Sequence, residues 1–456
     1  MAGAVQCDIV EEFEGAEFGD QRLNRRLAQL GSTMAGAPAR SFPGVLSDAE
    51  LEAAYRFFGN VKVDSGAILH PHVRQTLGRI AGRDLVLVAH DSSTMSFNSE
   101  GERDGLTPAR GAKQSFLTHC SLAIRADGTR RPEGVLVASY HVPTEAQDGV
   151  LQDRWGDHVR NVHALGLSPT KVIHLMDREA DDYEVLDLLC RMGGRFVIRV
   201  QHNRRVQEGR LRDVLDTTNI YAEREIPLSK RSGKVGPKQR KIHPPRKSRK
   251  ARVAISATTI SILRNPRAVD PSRETLALNV VRVWEPEPPA GEPPVEWLLY
   301  TSEPIETAEQ ILQIVDWYRA RWTIEEYFKA LKTGCALEER QLGDFYALTN
   351  ATAFFLPIAW KLLLLKSEAA ARPLEPAATV LDADELDVLR LVARKPLPEA
   401  PTTSDVMLAI AALGGHLKHN GQPGWQTLAR GYNKLQALVE GWNLRCSVET
   451  RSAHCR

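Results

Sequence analysis

The chain reads as an α/β core that is interrupted by a β-rich insertion and flanked at both ends by helical regions. Three observations predict this. Between about residues 71 and 200, apolar runs of strand length alternate with helical patterns. From 201 to about 303 further strand-like runs follow, with no clear long helix among them. The first seventy or so residues and the last fifty or so carry helical patterns instead. At 456 residues the chain has length for two or three domains and an ample core.

The N-terminal region, 1 to about 70, contains Asp20, placed to N-cap a helix that carries Arg22, Arg25 and Arg26. Clustered on one helix, these arginines suit either a solvated face or contacts to a phosphate backbone. In the core, 71 to about 368, the strand candidates are 85–89, 119–124, 134–140, 172–176 and 195–200. The insertion at about 201–303 adds 253–257, 276–283 and 297–300. Residues 369–402 turn rich in Pro, Asp and Glu and read as a connecting segment, and the remainder to 456 reads as helical, with breaks at Gly414, Gly415 and Pro423.

Charge is nearly balanced, 59 basic against 57 acidic residues, so overall composition does not name a nucleic-acid partner. Its distribution says more. From 226 to 252 there are eleven Lys or Arg and no Asp or Glu, including Lys247, Arg249 and Lys250. Such a run suits a solvated loop and equally a phosphate-tracking arm. The six cysteines show no CxxC pairing, which argues against a zinc site and a disulfide framework and fits a reduced cytoplasm. The start lacks the basic and apolar regions of a signal peptide. The most apolar segment, ATAFFLPIAWKLLLL (351–365), is short for a membrane span and reads as a buried helix. The pairs His70/His72 and His416/His419 lack further ligands nearby and read as structural or solvated.

The most informative stretch is YRARWTIEEYFKALK, 318–332. On one helix, Tyr318, Arg321, Glu325 and Lys332 fall within an arc of about 60°. Beside them runs an apolar stripe of Trp317, Ile324, Phe328 and Leu331, so the polar stripe sits at the edge of a core. Arg321 and Glu325 could be an ordinary i,i+4 surface pair worth a few tenths of a kcal/mol, about 0.3. Two aspartates shift the balance, each at the end of an expected strand: Asp91 after 85–89 and Asp177 after 172–176. Alone, either would be a turn residue or helix cap. Together with a helical glutamate they suit holding two divalent cations for phosphoryl transfer, with nearby cations gripping the phosphate.

Tyr318, Arg321, Glu325 and Lys332, in that spacing, resemble the YREK signature of the bacterial cut-and-paste DDE transposases like that of transposon five. HDSST (90–94) and DREADDY (177–183) are similar to that family's two aspartate motifs, and Glu338 and Arg340 in LEERQ match another. GDQRLNRRL (19–27) and AAYRFFGN (53–60) resemble its N-terminal DNA-binding region, and MLAIAALGGHLKHNGQPGWQTL (407–428) its C-terminal dimerisation region. The strand order suits a ribonuclease H-like sheet, and the resemblance implies the β-rich interruption between Asp177 and Glu325. It further implies that Asp91, Asp177 and Glu325 hold two Mg²⁺ ions, or Mn²⁺, and that Arg321, Lys332 and Tyr318 engage the cut strand's phosphate. Trp297 matches the family tryptophan on which a flipped base stacks, against a plain reading as a core indole. The implied activity is cleavage of transposon ends through a hairpin, then joining to target DNA. Expected partners are double-stranded DNA, at the inverted-repeat ends and the target, and a second copy of the chain in a two-end complex. In the tail, Met407, Leu408, Ile410 and Leu413 would bury at that dimer interface or simply cap the core. A bacterial cytoplasmic location follows, with no membrane partner. A catalytically inactive DNA-binding relative, or a metal-dependent nuclease without strand transfer, are the alternatives.

Overall fold

The computed structural model describes residues 9–98, 101–109, 112–142, 148–228, 245–264, 273–417 and 422–454. In chain order the elements begin with α1 (Gln21–Ala35), α2 (Asp48–Phe58), α3 (Ser65–Ile80), β1 (Val86–Phe97), β2 (Thr107–Ala109), β3 (Ala112–Arg125) and β4 (Pro132–His141). Then come α4 (Asp148–Ala164), β5 (Val172–Met176), α5 (Tyr183–Arg191), β6 (Arg195–Arg199), β7 (Arg205–Val206), β8 (Gly209–Arg210), α6 (Leu211–Asp216) and β9 (Ile220–Leu228). After β10 (Arg249–Leu263), β11 (Thr275–Trp284) and β12 (Glu296–Thr301), the helices α7 (Ala308–Ala320) and α8 (Trp322–Lys329) follow. The chain closes with α9 (Phe345–Ala371), α10 (Ala383–Val392), α11 (Thr403–Leu413) and α12 (Trp425–His454). The class is mixed α/β, as expected.

The chain divides into two compact units: unit 1, Met1–Arg154 with Trp322–Arg456, and unit 2, Trp155–Arg321. The boundaries expected at about 70 and 368 fall inside unit 1. There, β3 pairs antiparallel with β1, β2 and β4. Helix α9 is apolar all round and long enough by composition to cross a membrane, yet it is buried in unit 1 and serves as its central post. It packs on α2, α3, β4, α8 and α11, which ties both terminal helical regions to the same core. Capping reflects the sequence directly: the Asp20 side chain accepts the Arg22 N–H, and Ser47 with Glu50 form a reciprocal capping box on α2.

In unit 2, β5 and β6 run parallel, joined through α5. From β6 the ladder continues antiparallel through β12, β11 and β10, with β9 and β7 on β10. The residues 201–303 are thus a strand assembly whose one helix among the described residues, α6, is short. Its core includes Phe196, Ile198, Ile260, Leu278 and Tyr300 beside Trp155 and Leu186.

Three expected elements differ in detail: the segment 369–402, expected as a connector, contains the helix α10 with Val388 and Leu389 buried. β1 does not stop at residue 89 but runs on to Phe97, so Asp91 lies within the strand and not after it. Its later half, with Met95 and Phe97 buried and polar neighbours between, continues the strand by period-2 alternation where the unbroken apolar run has ended. The helix over 318–332 is also not continuous. At Arg321 the last turn of α7 tightens, Arg321 N–H bonding Tyr318 O at 3.1 Å, and α8 begins at the next residue. Beyond α8, residues Ala330–Gly334 form a wide π turn, closed by Cys335 N–H to Ala330 O at 2.9 Å. The extra residue in that turn shifts Lys332 away from the phase that a regular helix would give it.

Candidate active site

In unit 1, Asp91 stands opposite Cys120 across the β1–β3 ladder and is half-buried. Its Oδ1 accepts the Ser92 N–H at 2.8 Å. Burial first, and the Asp91 charge second, push the Cys120 thiol far up, so it stays protonated and is no nucleophile. The neighbours of Asp91 alternate to the other face of the sheet. There, His90 and Ser121 bond at 2.9 Å, Ser92 and His119 at 2.7 Å, and Arg154 Nε donates to Ser92 Oγ at 3.1 Å. These polar cross-strand pairs, which sequence reading passed over, hold β1 in register around the aspartate.

Helix α8 packs on β1, and it carries Glu325, also half-buried. Two of the three expected carboxylates therefore come from elements in direct packing within one unit. Ile324, Phe328 and Leu331 are buried, so the apolar stripe docks as its spacing requires. Lys332 donates its ammonium to the Thr94 carbonyl of β1 and lies 3.3 Å from Glu338. Glu338 in turn accepts the Ser96 N–H at 2.8 Å, which ties the π turn and the following turn to the same strand.

In unit 2, Asp177 follows β5 immediately and is half-buried. It caps the short 3₁₀ turn Arg178–Ala180, its Oδ1 accepting the Glu179 N–H at 2.8 Å. The other aspartates of that run have separate tasks. Asp181 is buried and accepts from Gln201 N–H at 2.6 Å, His202 N–H at 2.9 Å and Arg204 Nε at 2.9 Å. Asp182 caps α5. Asp177 itself keeps a half-buried position at the end of β5. Trp297 sits half-buried on β12, and its ring lies 6.2 Å from that of Tyr318. The Arg321 guanidinium stands 6.0 Å over the Tyr318 ring. Tyr318 and Arg321 are mostly buried, so this aromatic and cationic trio is a formed cluster of unit 2.

Residues 82–352, more than half of the chain, match the family described as Transposase DDE domain, and residues 9–63 match Transposase DNA-binding. The chain belongs to the DDE transposase family. Among solved structures, the DDE transposase chain is similar to the cryo-EM structure of the piggyBac transposase synaptic complex with hairpin DNA, at 12% identity and a TM-score of 0.33. That match covers 71% of this chain and 55% of the other, so the chain spans about half the length of the structure it matches.

In this DDE transposase the DNA-binding match contains α1, where Arg22 and Arg25 are exposed and Arg26 is half-buried. The basic run behaves unevenly. Arg249 makes a bidentate pair with the nearly buried Glu285, at 2.5 and 2.8 Å, and hydrogen bonding within this pair raises the arginine pKa and lowers the glutamate's. That side chain is committed within unit 2. Lys247 and Lys250 are exposed, Lys250 lying 3.4 Å from Glu225, and residues 229–244 of the run lie outside the described residues. Arg340 is buried, donates to the Arg40, Pro38 and Cys335 carbonyls at 2.6 Å each, and stacks over Phe42 and Phe355. Burial holds its pKa down to about 10. Its match to a family motif is therefore structural here, a pin between the turn at residues 38–42 and the core. Asp91, Asp177 and Glu325 offer only carboxylate oxygens, the hard donors that Mg²⁺ and Mn²⁺ prefer.

Proposed function

We propose that the chain is a ribonuclease H-like transposase of the YREK group that cleaves transposon ends and joins them to target DNA. The observation that supports this best is the packing of α8 on β1, which carries Glu325 and Asp91 into one unit within the segment that matches the family. Asp177, at the carboxyl end of β5, is the third carboxylate of the set. Two divalent ions, Mg²⁺ or Mn²⁺, held by these residues would activate the attacking oxygen and stabilise the leaving one. The protein's own share is positioning and charge neutralisation.

Arg321 and Lys332 neutralise the phosphate of the cut strand, and Tyr318 donates a hydrogen bond to it. In the first step, water attacks the phosphorus at the transposon end, the bond to the 3′ oxygen breaks, and a 3′-hydroxyl is freed. That hydroxyl attacks the opposite strand, forming a hairpin and releasing flanking DNA. Water reopens the hairpin, and the same hydroxyl then attacks target DNA. A hairpin needs a sharp bend at the terminus, which a flipped base relieves. The exposed part of Trp297 is the platform for that base. The working assembly is a dimer bridging two ends, and the setting is the bacterial cytoplasm.

Asp91→Asn, Asp177→Asn and Glu325→Gln each remove one carboxylate and leave the basic surfaces intact. Each variant loses cleavage of an end-labelled duplex in Mg²⁺ while retaining DNA binding in a gel shift. Cleavage near the wild-type rate in any of them excludes that residue from the site. Joined products on the labelled end separate a transposase from a nuclease or an inactive relative.

A further inference from the structure

A cleft of about 620 Å³ in unit 1 is lined by segments from near both ends of the chain, and none of its lining residues is among those named above as DNA contacts. One wall is Thr33, Gly36, Ala37, Arg40, Gly44 and Val45, from the end of α1 and the turn after it. The other comes from the segment after α10, the end of α11 and the first turns of α12, and it supplies Arg394, Arg430 and Lys434. The lining thus holds four cations and no carboxylate.

The cations are placed by rigid packing. A Cβ on Gly414 would come within 2.0 Å of the Thr427 carbonyl, and one on Gly431 within 1.8 Å of the Ile410 carbonyl. The backbones of α11 and α12 therefore touch, and only glycine fits at that crossing. Arg430 and Lys434 follow one turn apart on α12 and rise from this contact on the same face as Asn433 and Ala437. All four cationic residues are exposed, and among the described residues none of the four is ion-paired. Four like charges around one cleft repel one another, and an anion that fills it relieves that repulsion.

We infer that this cleft is a second docking site for the phosphate backbone of duplex DNA. The inference rests on the transposase reading above and names a surface that the reading did not contain. The first wall lies inside the segment that matches Transposase DNA-binding, so the anion already implied for this region is nucleic acid. The lining offers cations to a phosphate, and a contact of that kind carries charge and no sequence information.

The test is the salt dependence of duplex binding by the full-length chain. A variant with Arg40, Arg394, Arg430 and Lys434 all changed to Gln should lose about 0.9 unit of log-log salt slope per lost contact, roughly 2 to 4 units together, on a duplex without any transposon end. The single variants Arg430→Gln and Lys434→Gln should each lose about one unit, and Arg430→Lys should keep most of the wild-type slope because the charge remains. Circular dichroism verifies folding, and the single variants carry the test should the quadruple variant fail to fold. Unchanged slopes in the Gln variants overturn the inference, as does a slope loss confined to single-stranded DNA. A wild-type chain that binds duplex but never cleaves it would overturn the transposase reading alone.

Discussion

At the scale of single residues, Trp297 is the sharpest case of a side chain with two readings. Its edge packs toward Tyr318, 6.2 Å between ring centroids, as a core indole would, yet the residue is only half-buried. A stacking platform matters only once the terminus must bend. Trp297→Ala should therefore slow hairpin formation more than first-strand nicking, by the roughly 1 to 3 kcal/mol that a stacked base is worth. Equal slowing of both steps in a time course would make the indole plain packing. His72 is a second such residue. Its Nε2 accepts the Val135 N–H at 2.9 Å, so its proton sits on Nδ1 and is donated to the Glu12 carboxylate, which also takes Arg79 at 2.6 Å. Burial lowers the His72 pKa from 6.5 despite the Glu12 charge. For Glu12, burial alone would raise the pKa, but His72 and Arg79 together bring it below 4.5. As pH falls through 6.5, the unfolded chain takes up a proton that folded His72 refuses, and below 4.5 Glu12 adds to the loss. Melting temperature should fall from pH 7.5 to 5, and His72→Gln should flatten the upper part of that decline. A flat wild-type curve over this range would contradict the buried, neutral histidine.

At the scale of elements, the two basic segments expected to meet DNA should separate by experiment. Replacing Arg22, Arg25 and Arg26 on α1 by Ala should weaken end-specific binding in a competition gel shift. Neutralising the exposed Lys247 and Lys250 should reduce only the salt slope, by up to about one unit per contact. Arg249→Ala should instead lower thermal stability, because it strands the nearly buried Glu285 without its partner. An unchanged melting temperature would return Arg249 to the DNA-contact set. This unevenness within one run was not legible in the sequence, because Glu285 lies 36 residues away and only the β10–β11 ladder brings the two segments together. Local signals were legible. Strand β5 lies where the mostly apolar run Val172–Met176 ends at Asp177, and the Asp20 cap is where a polar residue precedes a helical pattern. What escaped was structure set by distant partners. The second half of β1 is polar in sequence and becomes a strand by pairing with β3 through Phe97↔Gln114. The break at Arg321 and the π turn after Lys329 are invisible to a period of 3.6, which rates 318–332 as one helix. Arg340 and the four-cation cleft depend on residues roughly three to four hundred positions apart.

At the scale of the whole molecule, the question is what the C-terminal helices do for assembly. Met407, Ile410 and Leu413, expected either at a dimer interface or as a cap on the core, are buried inside unit 1, with Leu428, Tyr432 and Leu435 of α12 beside them. The Tyr432 hydroxyl donates to Glu385 of α10 at 2.6 Å, which ties the tail down further. A chain cut after Thr403 would therefore expose a core, and its failure to pair two DNA ends would say nothing about dimerisation. The apolar surface that remains available lies elsewhere on the same elements. Leu408 of α11 is exposed, and so are Leu438 and Trp442, one turn apart on one face of α12. Burying side chains of this size against a partner is worth about 1.5 to 3 kcal/mol each, enough to shift a dimer equilibrium by more than tenfold apiece. Leu438→Glu with Trp442→Glu places charge on that face without opening the core. The double variant should fold with the wild-type melting temperature, bind a single transposon end, and fail to form the two-end complex on a native gel or a dimer in light scattering. Two-end pairing at the wild-type level by the double variant would move the interface off α12.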